Sequence, residues 1–335
     1  GNYVCILNDQ EEAGYFYHDL MQLTGSNEIY FFPSAYRRAI KYGHIDPANE
    51  ILRTEVLSVL QDPEAPFVIV SYPDALAEKV ISRDDLKKNT LKISVGEKLD
   101  NMFVSDVLDE YGFEQVDYVY EPGQYALRGS ILDVFSFSYE FPYRIDFFGK
   151  EVETIRTFDV ETQLSKEKLE SIYIVPEMNK SDRTNTLLLD SLPAQTILAA
   201  RDLTWTKERI GSLWNEEPVV GDEESFADIS RMRARLVTGE DFLRAALNFR
   251  RIHFGTRPAG VADATLTFST QAQPIYHKNF DMVSDSFRNY LESGYTLYIL
   301  SDVEKQATRI RAIFEDRGEN IPFTSVNKTI HEGFT

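Results

Sequence analysis

Tyr125-Ala126-Leu127-Arg128-Gly129-Ser130-Ile131-Leu132-Asp133-Val134-Phe135 and, a few residues on, Pro142-Tyr143-Arg144-Ile145-Asp146-Phe147-Phe148-Gly149-Lys150-Glu151-Val152 decide how the middle of this chain folds. Side chains of a strand point to opposite faces in turn. Tyr143, Ile145 and Phe147 therefore share one face, and Arg144, Asp146 and Phe148 the other. An arginine and an aromatic on one open face form the kind of pair enriched at binding hot spots. The spacing also allows a second reading, in which Arg144 pairs with Asp146 or Asp133 and Phe148 is core. Arg128 precedes Gly129, where a backbone bend would aim its guanidinium outward.

Around these runs the pattern repeats. Strand-like segments at residues 115–120, 124–128, 130–137, 143–148 and 152–158 are split by Pro122-Gly123, Gly129 and Gly149-Lys150. A helix over residues 102–111 stops at Gly112. Together they predict an antiparallel sheet with one helix.

The chain changes character on both sides. Residues 3–7 read as a strand. Asn8 and Asp9 then cap a helix that carries Glu11 and Glu12 in its first turn and Phe16, Leu20 and Leu23 on its apolar face, up to Gly25. Asp46-Pro47 starts a second helix with Leu52, Val56, Val59 and Leu60 on its buried side. Residues 67–71 are apolar at consecutive positions, as a strand covered on both faces requires, and residues 73–80 read as a short helix. Strands alternating with helices imply a parallel sheet. On the other side, residues 179–185 read as a polar linker, 196–200 as a buried strand and 215–225 as an acidic solvated loop. Arg231, Arg233, Arg235, Arg244, Arg250 and Arg251 form either a helix surface paired with acids or a docking or phosphate contact. The last residues return to α/β. Phe280, Val283, Phe287, Tyr290 and Leu291 mark a helix stopped by Gly294, residues 295–300 a strand, and Ser301 with Glu304 a capping box for a helix to Gly318. Both ends read as abrupt, as in a segment of a longer protein.

Composition limits what such a chain does. Its 335 residues are 43% hydrophobic and 13% aromatic, enough for several cores. No apolar run reaches the ~18 residues that cross a bilayer. The lone Cys5 cannot form an internal disulfide, which fits a cytoplasmic protein. A net charge of -19 argues against broad contact with nucleic acid. The sequence contains no G-x-x-x-x-G-K-[ST], no H-E-x-x-H and no G-x-S-x-G, and His18, His44, His253, His277 and His331 are scattered. We therefore expect no catalytic residues, no metal and no cofactor in this chain.

Arg128-Gly129, the strand ending at Phe135, the Arg-x-Asp-Phe-Phe strand from Arg144 to Phe148 and the stretch Glu151 to Asp159 resemble the UvrA-interaction domain shared by UvrB and the bacterial transcription-repair coupling factors (Mfd). The details are more similar to the coupling factors. The resemblance implies an α/β, multidomain chain. Residues 1–95 would be a UvrB-like α/β subdomain, helicase-like with a degenerate P-loop. Residues 96–178 would be the inserted antiparallel UvrA-interaction domain, 179–270 the completion of the UvrB-like module, and 271–335 the start of a following α/β domain. It implies UvrA contacts at Arg128, Arg144 and Phe148, and a non-catalytic module that recruits UvrA to stalled RNA polymerase in nucleotide excision repair. It further implies masking by contact with the C-terminal part of the parent protein. RNA polymerase, DNA, ATP and Mg would be bound by parent domains outside this chain. A phosphate loop would lie before Gly1, and Arg201-Asp202 would stand where UvrB has an Asp-Glu pair, which speaks against ATP hydrolysis. The rival expectation is a UvrB-like ATP-dependent subunit that processes DNA damage. A third is direct DNA contact through Arg231 to Arg251.

Overall fold

Val4 and Ile6 are all but sealed from solvent, because the strand they belong to is the central one of a five-stranded sheet with helices in its connections. The computed structural model describes residues 1–36, 46–62, 64–176, 184–216, 233–255, 262–277 and 279–335. The chain divides into two units, Gly1–Ala13 with Tyr30–Ala259, and Gly14–Ile29 with Gly260–Thr335.

The larger unit begins with β1 (Tyr3–Ile6), α1 (Gln10–Thr24, shared between the units), β2 (Ile29–Phe31), α2 (Pro47–Val59), β3 (Val68–Ser71), α3 (Pro73–Leu76), β4 (Val80–Ile81), α4 (Arg83–Lys88) and β5 (Leu91–Ser94). It continues with α5 (Asn101–Glu110), β6 (Glu114–Gln115), β7 (Gln124–Arg128), β8 (Ile131–Val134), β9 (Tyr143–Phe148), β10 (Glu151–Phe158), β11 (Ser165–Leu169) and β12 (Ser171–Ile174). It closes with β13 (Thr184–Thr186), β14 (Ile197–Ala200), α6 (Leu203–Asn215), α7 (Gly239–Ala246) and β15 (Arg250–His253).

One sheet runs in the order β15-β14-β1-β3-β2, with β1 parallel to both β3 and β14 and β14 parallel to β15. The predicted parallel sheet is present, and its inner strands β1 and β3 are buried at consecutive positions, as the apolar run at residues 67–71 led us to expect. Asp46 accepts a hydrogen bond from Ala48 N, so the cap and first-turn proline start α2 as the sequence predicts. At α1, Asp9 accepts from Glu12 N while Glu12 accepts from Asn8 N. That reciprocal arrangement satisfies amides left open at a helix start. Cys5 is buried, and desolvation pushes its thiol up to about 11.

The second sheet is six-stranded, in the order β11-β10-β9-β8-β7-β6. Its tight hairpins carry Gly129 and Gly149 at positive φ, 64° and 65°, where residues with a Cβ are disfavoured. Tyr125, Leu132, Val134, Tyr143, Ile145, Phe147, Val152 and Ile155 form one core with Val104 and Leu108 of α5. On the other face Ala126, Phe135 and Phe158 pack with Val119 and with Ile51 of α2.

Several sequence expectations are corrected. Where spacing predicts a helix over residues 73–80, α3 ends at Leu76, because Val80 and Ile81 pair with β13. Of residues 115–120 only Gln115 belongs to a strand, β6, which runs parallel to β7 rather than antiparallel. Beyond it Gln124 Oε1 gathers the amides of Tyr120 and Glu121 into a turn. The antiparallel β5–β12 ladder and β11 were not legible, since β11 (Ser-Lys-Glu-Lys-Leu) has almost no apolar alternation. Arg250 and Arg251 lie on the edge strand β15, not on a helix, and donate to the Gln195 and Leu247 carbonyls. Arg244 pairs with Asp241 on α7. Arg231, His44, and most of the polar linker and acidic loop lie outside the described residues.

In the smaller unit α8 (Phe280–Glu292), β16 (Tyr298–Leu300), α9 (Glu304–Asp316) and β17 (Thr324–Val326) surround a core of Leu297, Phe314 and Ile321, with β16 and β17 parallel. Both predicted helices are present. The cap differs: α9 has Val303 at its N-cap with no side-chain cap, and Ser301 Oγ accepts from Val303 N instead.

Candidate partner-docking face of the antiparallel sheet

Residues directly opposite in an antiparallel pair share a face. Asp133 stands opposite Arg144, which stands opposite Arg156. Arg128 stands opposite Ile131, which stands opposite Asp146. Phe148 lies one pleat beyond Asp146 on β9. Register therefore gathers Arg128, Asp133, Arg144, Asp146, Phe148 and Arg156 on the face away from the Tyr125–Leu132–Ile145 core.

Asp133 is the centre of this face. Its side chain is 1% exposed, yet it receives two cations. Arg144 donates to it with Nε (2.7 Å to Oδ1) and Nη2 (2.8 Å to Oδ2), the paired geometry available to a guanidinium and not to an ammonium. Arg128 Nη2 donates to the same Oδ2, and its Nη1 donates to the Asp117 carbonyl at 2.7 Å. The Asp133 hydrogen bond holds the Arg144 pKa above its ordinary value. Two guanidiniums on one carboxylate leave a local excess of positive charge in a chain whose net charge is -19. Beside them Arg156 and Asp146 neutralise each other at 2.9 Å.

The three sequence-predicted residues share the face but not the same exposure. Phe148 is 77% exposed, so the reading that made it core is wrong. It sits at the end of β9, beside the Gly149-Lys150 turn, where no further strand residue covers it. Arg128 does not simply point outward from the bend at Gly129: it folds back along the sheet over the Tyr118 ring, 5.1 Å from its centroid, and keeps 37% of its side chain open. Arg144 is 14% exposed. Phe158 lies beneath it at 4.3 Å, and Gln163 lies alongside, accepting from Nη2 through Oε1 and from Nη1 through its carbonyl. Of its two candidate partners, Arg144 takes Asp133, and Asp146 goes to Arg156 and Thr154.

Gln163, Asp117 and Tyr118 were missed. They come from turns whose positions no periodicity reports. Gln163 is held at a positive φ of 59° by the turn that Asp159 organises through Thr162.

Elsewhere the chemistry is sparse. The turn between β1 and α1 carries Asn8, Asp9 and Glu12. The Asp9 and Glu12 carboxylates already accept the Glu12 and Asn8 amides, which an anion there would use. Arg201 pairs with Glu12 there, and Asp202 caps α6 by accepting from Thr204 N and Trp205 N. Among the described residues no group of three or more His, Cys, Asp or Glu could hold a metal ion, and no helix is long and apolar enough to cross a membrane.

Residues 91–179, which span β5 to β12 and contain every residue of this face, match the family model of the UvrB interaction domain. The chain is 29% identical to the transcription-repair-coupling factor of Escherichia coli K12 over 52% of its length, and 32% identical to that of Haemophilus influenzae over 45%. With the coupling factor of Staphylococcus aureus Mu50 the likeness covers 98% of the chain at 28% identity. These stretches are similar to bacterial transcription-repair-coupling factors. The chain spans 15% of the E. coli relative, 13% of the H. influenzae one and 33% of the S. aureus one. In this chain the segment matched by the family model contains the face, and the parallel sheet lies outside it.

Proposed function

We propose that this chain is a non-catalytic interaction module that docks UvrA through the Arg128–Arg144–Phe148 face and so brings it to stalled RNA polymerase in transcription-coupled nucleotide excision repair. The observation that carries the proposal is the exposed Phe148 ring sharing a face with two guanidiniums inside the segment that matches the UvrB interaction domain. An aromatic anchor beside planar cations fits an acidic, partly apolar partner surface. Binding of RNA polymerase and DNA, ATP-driven translocation with Mg, and masking of this face by the C-terminal part of the parent all belong, in this proposal, to regions beyond the chain. Pull-down of UvrA by the chain is the test. Arg128→Ala or Arg144→Ala should lose it with an unchanged circular dichroism spectrum, and undiminished capture by both variants rejects the proposal.

The rival, a UvrB-like ATP-dependent subunit, is disfavoured by the acidic turn after β1 and the Arg201–Glu12 pair. We read this parallel sheet as a degenerate helicase-like module. Mg-dependent ATP binding in a titration of the chain would restore the rival. Direct DNA contact through Arg244, Arg250 and Arg251 would show as a salt-sensitive mobility shift, which the net charge leads us not to expect.

A further inference from the structure

The geometry points to a division of labour within the docking face: Arg128 is the cation that touches UvrA, and Arg144 is a positioning residue that acts on Arg128 through Asp133. The inference rests on the UvrA-docking reading and refines it.

The hydrogen-bond inventory separates the two arginines. A guanidinium has five N–H groups. Those of Arg144 are nearly all committed. Nε donates to Asp133, Nη2 to Asp133 and Gln163, and Nη1 to the Gln163 carbonyl. One face of its plane is covered by the buried Phe158 ring. Little of Arg144 is left to offer a partner without first breaking bonds to a buried carboxylate. Arg128 differs. Nη2 donates once to Asp133 and Nη1 once to Asp117, so its Nε–H and the second hydrogen of each Nη stay open, on a side chain 37% exposed.

The connection runs through one group. Arg144 grips Asp133 at both oxygens, which fixes the plane of the carboxylate, and Oδ2 in that plane holds Arg128 Nη2. The Asp117 carbonyl and the Tyr118 ring close the seat. Arg128 thus waits for its partner with much of its rotamer freedom already lost, and a pre-organised side chain gives up less entropy on binding. Without Arg144 the carboxylate is free to swing, and Arg128 closes onto it as a simple pair, its remaining donors no longer held in one place.

The test is the affinity of the fluorescently labelled chain for UvrA, by anisotropy across a NaCl series, for Arg128→Gln, Arg144→Gln, Arg144→Lys, Asp133→Asn and the Asp133→Asn/Arg144→Gln double variant. Arg128→Gln should weaken binding about tenfold or more and flatten its salt dependence, because it removes an ionic contact. Arg144→Gln should weaken binding comparably but keep the wild-type salt slope, and should add nothing in the Asp133→Asn background, as residues acting in one unit do. Arg144→Lys keeps the charge that Asp133 needs and so keeps the fold, but lacks the paired donors, and should still bind at least about threefold more weakly. It carries the test if Asp133→Asn melts early. A flattened salt slope for Arg144→Gln, a further tenfold loss in the double variant, or wild-type affinity for Arg144→Lys overturns the division of labour. Unchanged affinity for Arg128→Gln would instead overturn the docking reading itself.

Discussion

Phe148→Ala separates a binding ring from a core ring. A phenylalanine side chain presents on the order of 200 Å², and Phe148 leaves 77% of its surface open. About 150 Å² is thus free for a partner, worth at most ~4 kcal/mol at ~25 cal/mol per Å². A partner surface seldom covers a ring completely, so we expect a loss of about 2–3 kcal/mol in UvrA binding, within the range of a hot spot. That is roughly 30- to 150-fold in Kd. The covered remainder, about 50 Å², limits the cost to the fold to ~1 kcal/mol, a fall of roughly 2–4 °C in Tm for a domain this size or larger. Isothermal titration calorimetry with UvrA and a thermal melt of each protein give both quantities. A Kd within about threefold of wild type at an unchanged Tm would refute the role of the ring. A fall in Tm well beyond the expected range would refute the reasoning from exposure, because it would mean the ring supports the fold.

Other consequences concern the frame around the face. A Cβ at Gly239 would meet the backbone carbonyl of Lys207 where α7 crosses α6, so Gly239→Ala should destabilise the chain by about 1–3 kcal/mol in urea denaturation, and an unchanged midpoint would contradict the packing. Arg53 and Glu78 form a buried pair at 3.3 Å, with Arg53 also donating to the Pro33 carbonyl and Glu78 accepting from Ser34 and Ala35. Arg53→Met strands the carboxylate and should cost about 3–5 kcal/mol, whereas a cost below about 1 kcal/mol would show the pair to be dispensable. Asp159 is held below the usual carboxylate range chiefly by the Thr162 amide and hydroxyl. Its folded pKa lies below its unfolded one, so its support of the turn is full above the unfolded value of 3.8 and is lost as pH falls through the folded value. Hydrogen exchange of the Gln163 amide, which donates to the Asp159 carbonyl, should therefore show protection falling only below about pH 4, and protection that is flat across that range would remove Asp159 from the account.

Local patterns settled much of this architecture. Alternation from Tyr143 to Phe148 fixed which side chains share a face. The Asp46-Pro47 cap, the consecutive apolar run at Phe67–Val70 and the glycines after Arg128 and Phe148 marked element starts and turns, because each reflects short-range stereochemistry that adjacent residues carry with them. The presence of Arg128, Arg144 and Phe148 in one ordered set was likewise legible. Which partner each guanidinium takes was not. Arg144 could have paired with Asp146 as readily as with Asp133 until strand register placed Asp133 opposite it and Arg156 beside Asp146. The covering of Arg144 by Gln163, the folding back of Arg128 over Tyr118 and the exposure of Phe148 come from chain segments brought together by the sheet, some of them through turns without periodicity. Residue type and spacing set the face a side chain occupies, since that depends only on the strand's own pleat. Burial and pairing depend on what other strands and turns bring alongside, and those distances exist only in the folded chain.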